Sequence, residues 1–201
     1  MYYPKILKIM KLKKLFFLAL MCTAFISNAQ TQFETDGVIV PRTIEVNGGK
    51  KIQLNGFGTR SKAWVDVYVQ ALYLTALSQD PHVIMDSETD MAIRIEIISK
   101  MVTARKLTNA MEKGFEKSCG EKLNAMMPKI NQFKSLLSEE IVKGDVYVLS
   151  YNPKEEAITV TKNEKLKGKV EGKDFKKALF GIWLSDEPAD EDLKNELLGK
   201  H

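Results

Sequence analysis

Cysteine and histidine are nearly missing from this chain, with two of each in 201 residues. Cys22 falls in an N-terminal segment that reads as removable. That leaves Cys119 and excludes an intramolecular disulfide or a cysteine-clustered metal site. His82 and His201 have no second ligand at metal spacing, so neither a metal nor a cofactor is expected. Also absent are a Gly-x-Ser-x-Gly elbow, a phosphate loop and a dinucleotide fingerprint. Gly56-x-Gly58 lacks the third glycine and the helix that such a fingerprint needs. Cys119 falls at a predicted helix end with no histidine near it in sequence, and reads as a small buried hydrophobe. Long apolar runs are missing too: the longest, Leu15 to Ile26, is about a dozen residues, short for roughly 30 Å of hydrocarbon.

That run follows Lys5, Lys8, Lys11, Lys13 and Lys14 and precedes Ser27-Asn28-Ala29, which places small residues at the minus-three and minus-one positions. The pattern is that of a secretory signal peptide, residues 1–29, cut after Ala29. Met21 stands where a lipoprotein signal wants a small residue, so lipidation at Cys22 is not expected. A periplasmic or secreted protein with no stable membrane anchor follows. Removing five lysines from a net charge of +4 leaves −1, so charge gives no argument for a nucleic-acid partner. The remaining length fits one domain with a full core.

What is present is organised around Asn55 to Leu74. Val65, Val67, Val69, Ala71 and Tyr73 alternate with Trp64, Asp66, Tyr68 and Gln70, a strand of period two with one face in the core and one wetter. Gly56 and Gly58 lead into Arg60, and glycine inside a strand marks a bulge or a close approach of another backbone. Residues 30–42 read as polar and irregular, and residues 43–201 as the domain. Thr43 to Val46, Asn47-Gly48-Gly49 and Lys51 to Gly58 predict a hairpin. A turn at Arg60 to Lys62 leads into the next strand.

Further on, Asp80-Pro81 starts a short helix, Met91 to Ile98 is a strand, and Thr103 caps a long helix that ends at Cys119-Gly120. A second helix, Glu121 to Leu137, should be kinked or split by Pro128. Three strands between Val146 and Val170 and two helices, Phe175 to Leu184 and Asp190 to Leu198, complete the order. Strands, helices, strands and helices predict an α+β fold, an antiparallel sheet with helices laid on one face. Arg60 and Tyr68, with Asn109 on the long helix, form a guanidinium and a phenol directed into a sheet–helix cleft. The other reading of Arg60 is a surface partner of Asp66.

The chain resembles the chalcone isomerase-like proteins, in particular their bacterial secreted branch. The resemblance rests on Leu54-Asn55-Gly56-x-Gly58-x-Arg60, on Val67-Tyr68-Val69-x-x-Leu72-Tyr73-Leu74, and on the helix from Thr103. It continues in Lys173-Asp174-Phe175-x-x-Ala178-Leu179 and Ile182-Trp183-Leu184-x-Asp186-x-Pro188-Ala189-Asp190. It implies an open-faced β-sandwich, a large antiparallel sheet covered by helices with a ligand cleft between them. By the same resemblance Arg60 matches the arginine that steadies a developing phenolate in the true isomerases, and Asn109 matches an asparagine of their network. Tyr68 replaces a threonine, Val102 a tyrosine, and Gly181 a serine or threonine.

With those polar groups lost, the expectation is a non-catalytic binder of a fatty acid or similar amphiphilic carboxylate. Arg60, Tyr68 and Asn109 are its ligand-binding residues. The alternatives are an intramolecular lyase of chalcone isomerase type and an envelope scaffold that binds other proteins.

Overall fold

In a computed structural model of the chain, residues 31–200 are described. The expected signal peptide lies outside them. Seven strands follow one another across a single sheet in chain order, each antiparallel to the next. They are β3 (Thr43–Val46), β4 (Lys50–Lys62), β5 (Val65–Leu74), β6 (Met91–Ile97), β7 (Val146–Asn152), β8 (Ala157–Lys162) and β9 (Lys165–Glu171). The helices are α1 (Pro81–Asp86), α2 (Ala104–Cys119), α3 (Leu123–Leu136), α4 (Lys173–Leu184) and α5 (Glu191–Leu197).

The helix starts are written in the caps. Asp80 accepts from the amides of His82 and Val83, and Thr103 from Lys106, so the first amides of α1 and α2 are satisfied by side chains. Gly120, at φ 52°, ends α2. Pro128 does not split the second helix. The carbonyl its missing N–H would have bonded is that of Asn124, which is exposed and can turn to water. The helical layer buries Phe115, Phe133 and Phe175 against one another, with ring centroids 5.6 to 5.9 Å apart.

The helices cover one face of the sheet, which makes this the α+β, open-faced arrangement expected from the sequence. The other face is not left bare. Residues 30–42, expected to be irregular, hold a hairpin of β1 (Gln32–Thr35) and β2 (Val38–Pro41) closed by Asp36 and Gly37 at φ 49° and 74°. Only a four-residue alternation carries this signal, and the polar flanks hide it. Val38 and Val40 then bury against Ile52, Val69, Ala71 and Tyr73, forming a second, smaller core. The Tyr73 hydroxyl donates to the Pro41 carbonyl at 2.9 Å.

Strand β5 is therefore sandwiched. Its even residues Tyr68, Leu72 and Leu74 face the helices, while Val69, Ala71 and Tyr73 face the hairpin. The expected wet face is thus the one buried under the helices, and the expected core face is the one the hairpin covers. The turn after β4 is also later than expected. The strand runs to Lys62, and Ala63-Trp64 make the turn, so Arg60 lies within the strand directly across from Tyr68.

Candidate ligand-binding cleft

Two irregularities shape the β4–β5 pair. Asn55 is an extra residue between Leu54 and Gly56, and its amide side chain donates to the carbonyls of Ser78 and Leu197, each at 2.9 Å. Val67 is an extra residue between Asp66 and Tyr68, so both Val67 and Tyr68 turn toward the helical layer.

Gly56 and Gly58 have a single use. A β-carbon on Gly56 would overlap the backbone carbonyls of Glu196 and Leu197, and one on Gly58 would overlap the Glu196 carboxylate. Helix α5 therefore lies directly on the backbone of β4. Its N-cap, Asp190, accepts from the Leu193 amide through one carboxylate oxygen and pairs with Arg60 through the other. Arg60 also donates to the carbonyls of Ser61 (2.7 Å) and Ala189 (3.3 Å).

This corrects the reading of Arg60 as a surface partner of Asp66. The guanidinium is turned onto Asp190, brought over β4 by the glycines, and Asp66 is held instead by the Ser61 hydroxyl at 2.5 Å. Arg60 is about a quarter exposed, and it does not line the cleft described next.

Behind Arg60 stands Tyr68, whose oxygen accepts from the Trp183 indole N–H at 3.4 Å. Burial pushes this phenol above its ordinary value, with Trp183 and then Arg60 pulling the other way, so it stays neutral and keeps its proton. No acceptor for that proton lies among the described residues.

Tyr68 also forms part of the wall of a cleft of about 480 Å³ between the β4–β5 hairpin and α2. Val65, Val67, Val102, Leu107 and Ala110 make the apolar surface, and Lys62, Lys106 and Lys113 stand around it with no acidic side chain in the lining. Asn109 is there as well, exposed at the rim, so it does not enter a buried network. Val102 lines the same cleft, whereas Gly181 faces Ser118 and Met85 and takes no part in it. Trp64 is swung out into solvent, and Phe115 and Trp183 are in the core, so the deep part of the sheet–helix interface is solid and the open space is at its hairpin end. A larger hollow of about 1150 Å³ lies over β7 to β9 on the opposite face. Its lining mixes Ile44, Val146, Val148 and Leu166 with Arg94, Glu155 and Lys169, so charges of both signs stand among its apolar groups.

Sequence reasoning missed two residues. Asp190 stood inside a quoted motif, but its partner is 130 positions away. Gln70, fully buried with neither side-chain atom paired, sits two residues beyond Tyr68 and opposite Gly58. A polar residue facing a glycine across a ladder was the available signal. Among the described residues no cluster of potential metal ligands occurs.

A sheet in simple chain order with a helical layer on one face is an open-faced α+β fold. The chain belongs to the chalcone isomerase-like family, whose sequence profile matches residues 32–199. Among solved structures it is similar to a fatty-acid binding protein of Arabidopsis thaliana, with a TM-score of 0.69 and 18% identity, over 83% of this chain and 95% of that one. No curated protein matches by sequence.

Proposed function

We propose that this protein is a non-catalytic binder of a fatty acid or similar amphiphilic carboxylate, held in the cleft between β5 and α2. The observation that carries this reading is the lining, an apolar surface surrounded by three lysines and free of acids. A space of about 480 Å³ is in the range of small-molecule sites, roughly 300–1,000 Å³. Each methylene buried there contributes about 0.8 kcal/mol. The acid headgroup belongs at the Tyr68 end, where the phenol proton needs an acceptor and Arg60 lies behind the oxygen. Asn109 then meets the ligand at the rim. The likeness to a protein described as fatty-acid binding supports the same reading.

Ring closure of the isomerase type is poorly supplied by this geometry. Stabilising a developing phenolate takes donors fixed around one oxygen. Here Arg60 is committed to Asp190, Val102 offers no hydroxyl, and Asn109 is at the surface.

Lipid extraction and mass spectrometry of the purified protein test the proposal. Acyl chains should accompany the wild type and be depleted in Tyr68→Phe, and their absence from the wild type would refute it.

A periplasmic location rests on residues 1–29 alone. Among the described residues no helix is long and apolar enough to cross a membrane. N-terminal sequencing of the protein from its host should begin at Gln30, and a chain beginning at Met1 would contradict the reading.

A further inference from the structure

The tip of the β4–β5 hairpin is built against ordinary preference. Ala63 and Trp64 both take positive φ, 48° and 66°, in a turn that normally uses asparagine and glycine. Trp64 is fully exposed there, at 102% of its reference area. It stands between two residues of the cleft lining, Ala63 and Val65. Across the opening Met101, also in the lining, is 57% exposed. Two large apolar side chains in water at the mouth of one apolar cleft is an arrangement a soluble surface does not need.

The charges that line the cleft have one sign. Lys62, Lys106 and Lys113 line the cleft and Lys100 adjoins Met101, and none of the four forms an ion pair among the described residues. Lys106 donates only to the Met101 carbonyl, at 2.9 Å. Elsewhere lysines such as Lys129, Lys134, Lys167 and Lys173 are matched with acids. The acid on this hairpin end, Asp66, is held by Ser61.

We propose that this end of the molecule docks on an anionic lipid bilayer. Trp64 and Met101 enter the headgroup region, where indole rings are favoured, and the lysines sit on lipid phosphates. The mouth of the cleft then opens toward the acyl chains, so the ligand passes between bilayer and protein without crossing water. This deepens the binding reading above and rests on it, because a docked mouth has a purpose only if the cleft takes an amphiphile.

The two tryptophans make the test local. Trp183 is buried and Trp64 is not, so lipid-dependent change in emission reports Trp64. The 32–201 unit holds both hydrophobic cores within itself and is the piece to use. Mixed with vesicles of phosphatidylglycerol and phosphatidylcholine, it should show a blue shift and co-sediment, with weaker binding as salt rises. Lys62→Ala and Lys113→Ala should each lower partitioning about fivefold. Trp64→Ser should lose both shift and co-sedimentation while still taking up fatty acid from solution. Absence of any shift with anionic vesicles overturns the docking proposal, as does equal binding to pure phosphatidylcholine. A wild type that docks but takes up no fatty acid from any source would instead sink the binding reading.

Discussion

At Arg60 the protein already holds a carboxylate, and it is its own. Asp190 makes the contact expected of a ligand headgroup while also capping α5. Replacing it by asparagine keeps a good cap and removes the charge. Asp190→Asn is therefore expected to free Arg60 and tighten fatty-acid binding several-fold, on the order of 1 kcal/mol, by titration. Unchanged affinity would show that Arg60 contributes nothing to the ligand. The sequence made Arg60 and Tyr68 visible as polar groups at the end of one strand pair. It did not show where the guanidinium points, because that is decided by a helix 130 residues away and not by neighbours.

At the level of elements, the Asn55-Gly56-x-Gly58-x-Arg60 segment is a seat for α5. Asn55 straps the Leu197 carbonyl, the glycines admit the helix, and Arg60 closes on its N-cap. Gly56→Ala places a β-carbon against backbone, which cannot swing aside as a side chain can. It should destabilise the fold by about 2 kcal/mol or more in urea unfolding, and more than Gly58→Ala, which meets the Glu196 side chain. Equal and small losses for both would mean that α5 is loosely seated. Most elements were legible because caps and periodicity are local: Thr103, Gly120 and Asp80 each behave as their sequence predicts. The Val67 bulge was not legible, since an extra residue in one strand is defined only by its partner.

For the whole molecule, the decisive feature is a sheet covered by helices on one face and, over β3 to β6, by the β1–β2 hairpin on the other. The helix side was readable from amphipathic stripes, whereas the β1–β2 side was too short to announce itself and changed the meaning of β5. Packing also traps an amine. Lys176 on α4 is 3% exposed, donates to the carbonyls of Met85 (2.7 Å) and Ser87 (2.6 Å), and lies over the Tyr151 ring. Burial lowers its pKa from 10.5 to about 8. Between those values the unfolded chain binds more protons than the folded one, so this group makes stability rise with pH across that window. Urea unfolding at pH 7.5 and 9.5 should show a rise that Lys176→Met reduces by about 2 kcal/mol or less. An identical pH dependence in the variant would place the amine in water.

The cleft itself is tested most directly by calorimetric titration of the 32–201 unit with a long-chain fatty acid and with its methyl ester. The acid should bind, and the ester should bind at least about tenfold more weakly for want of a charge-assisted contact. Heat from neither ligand, or equal affinity for both, would contradict an acid-recognising apolar cleft.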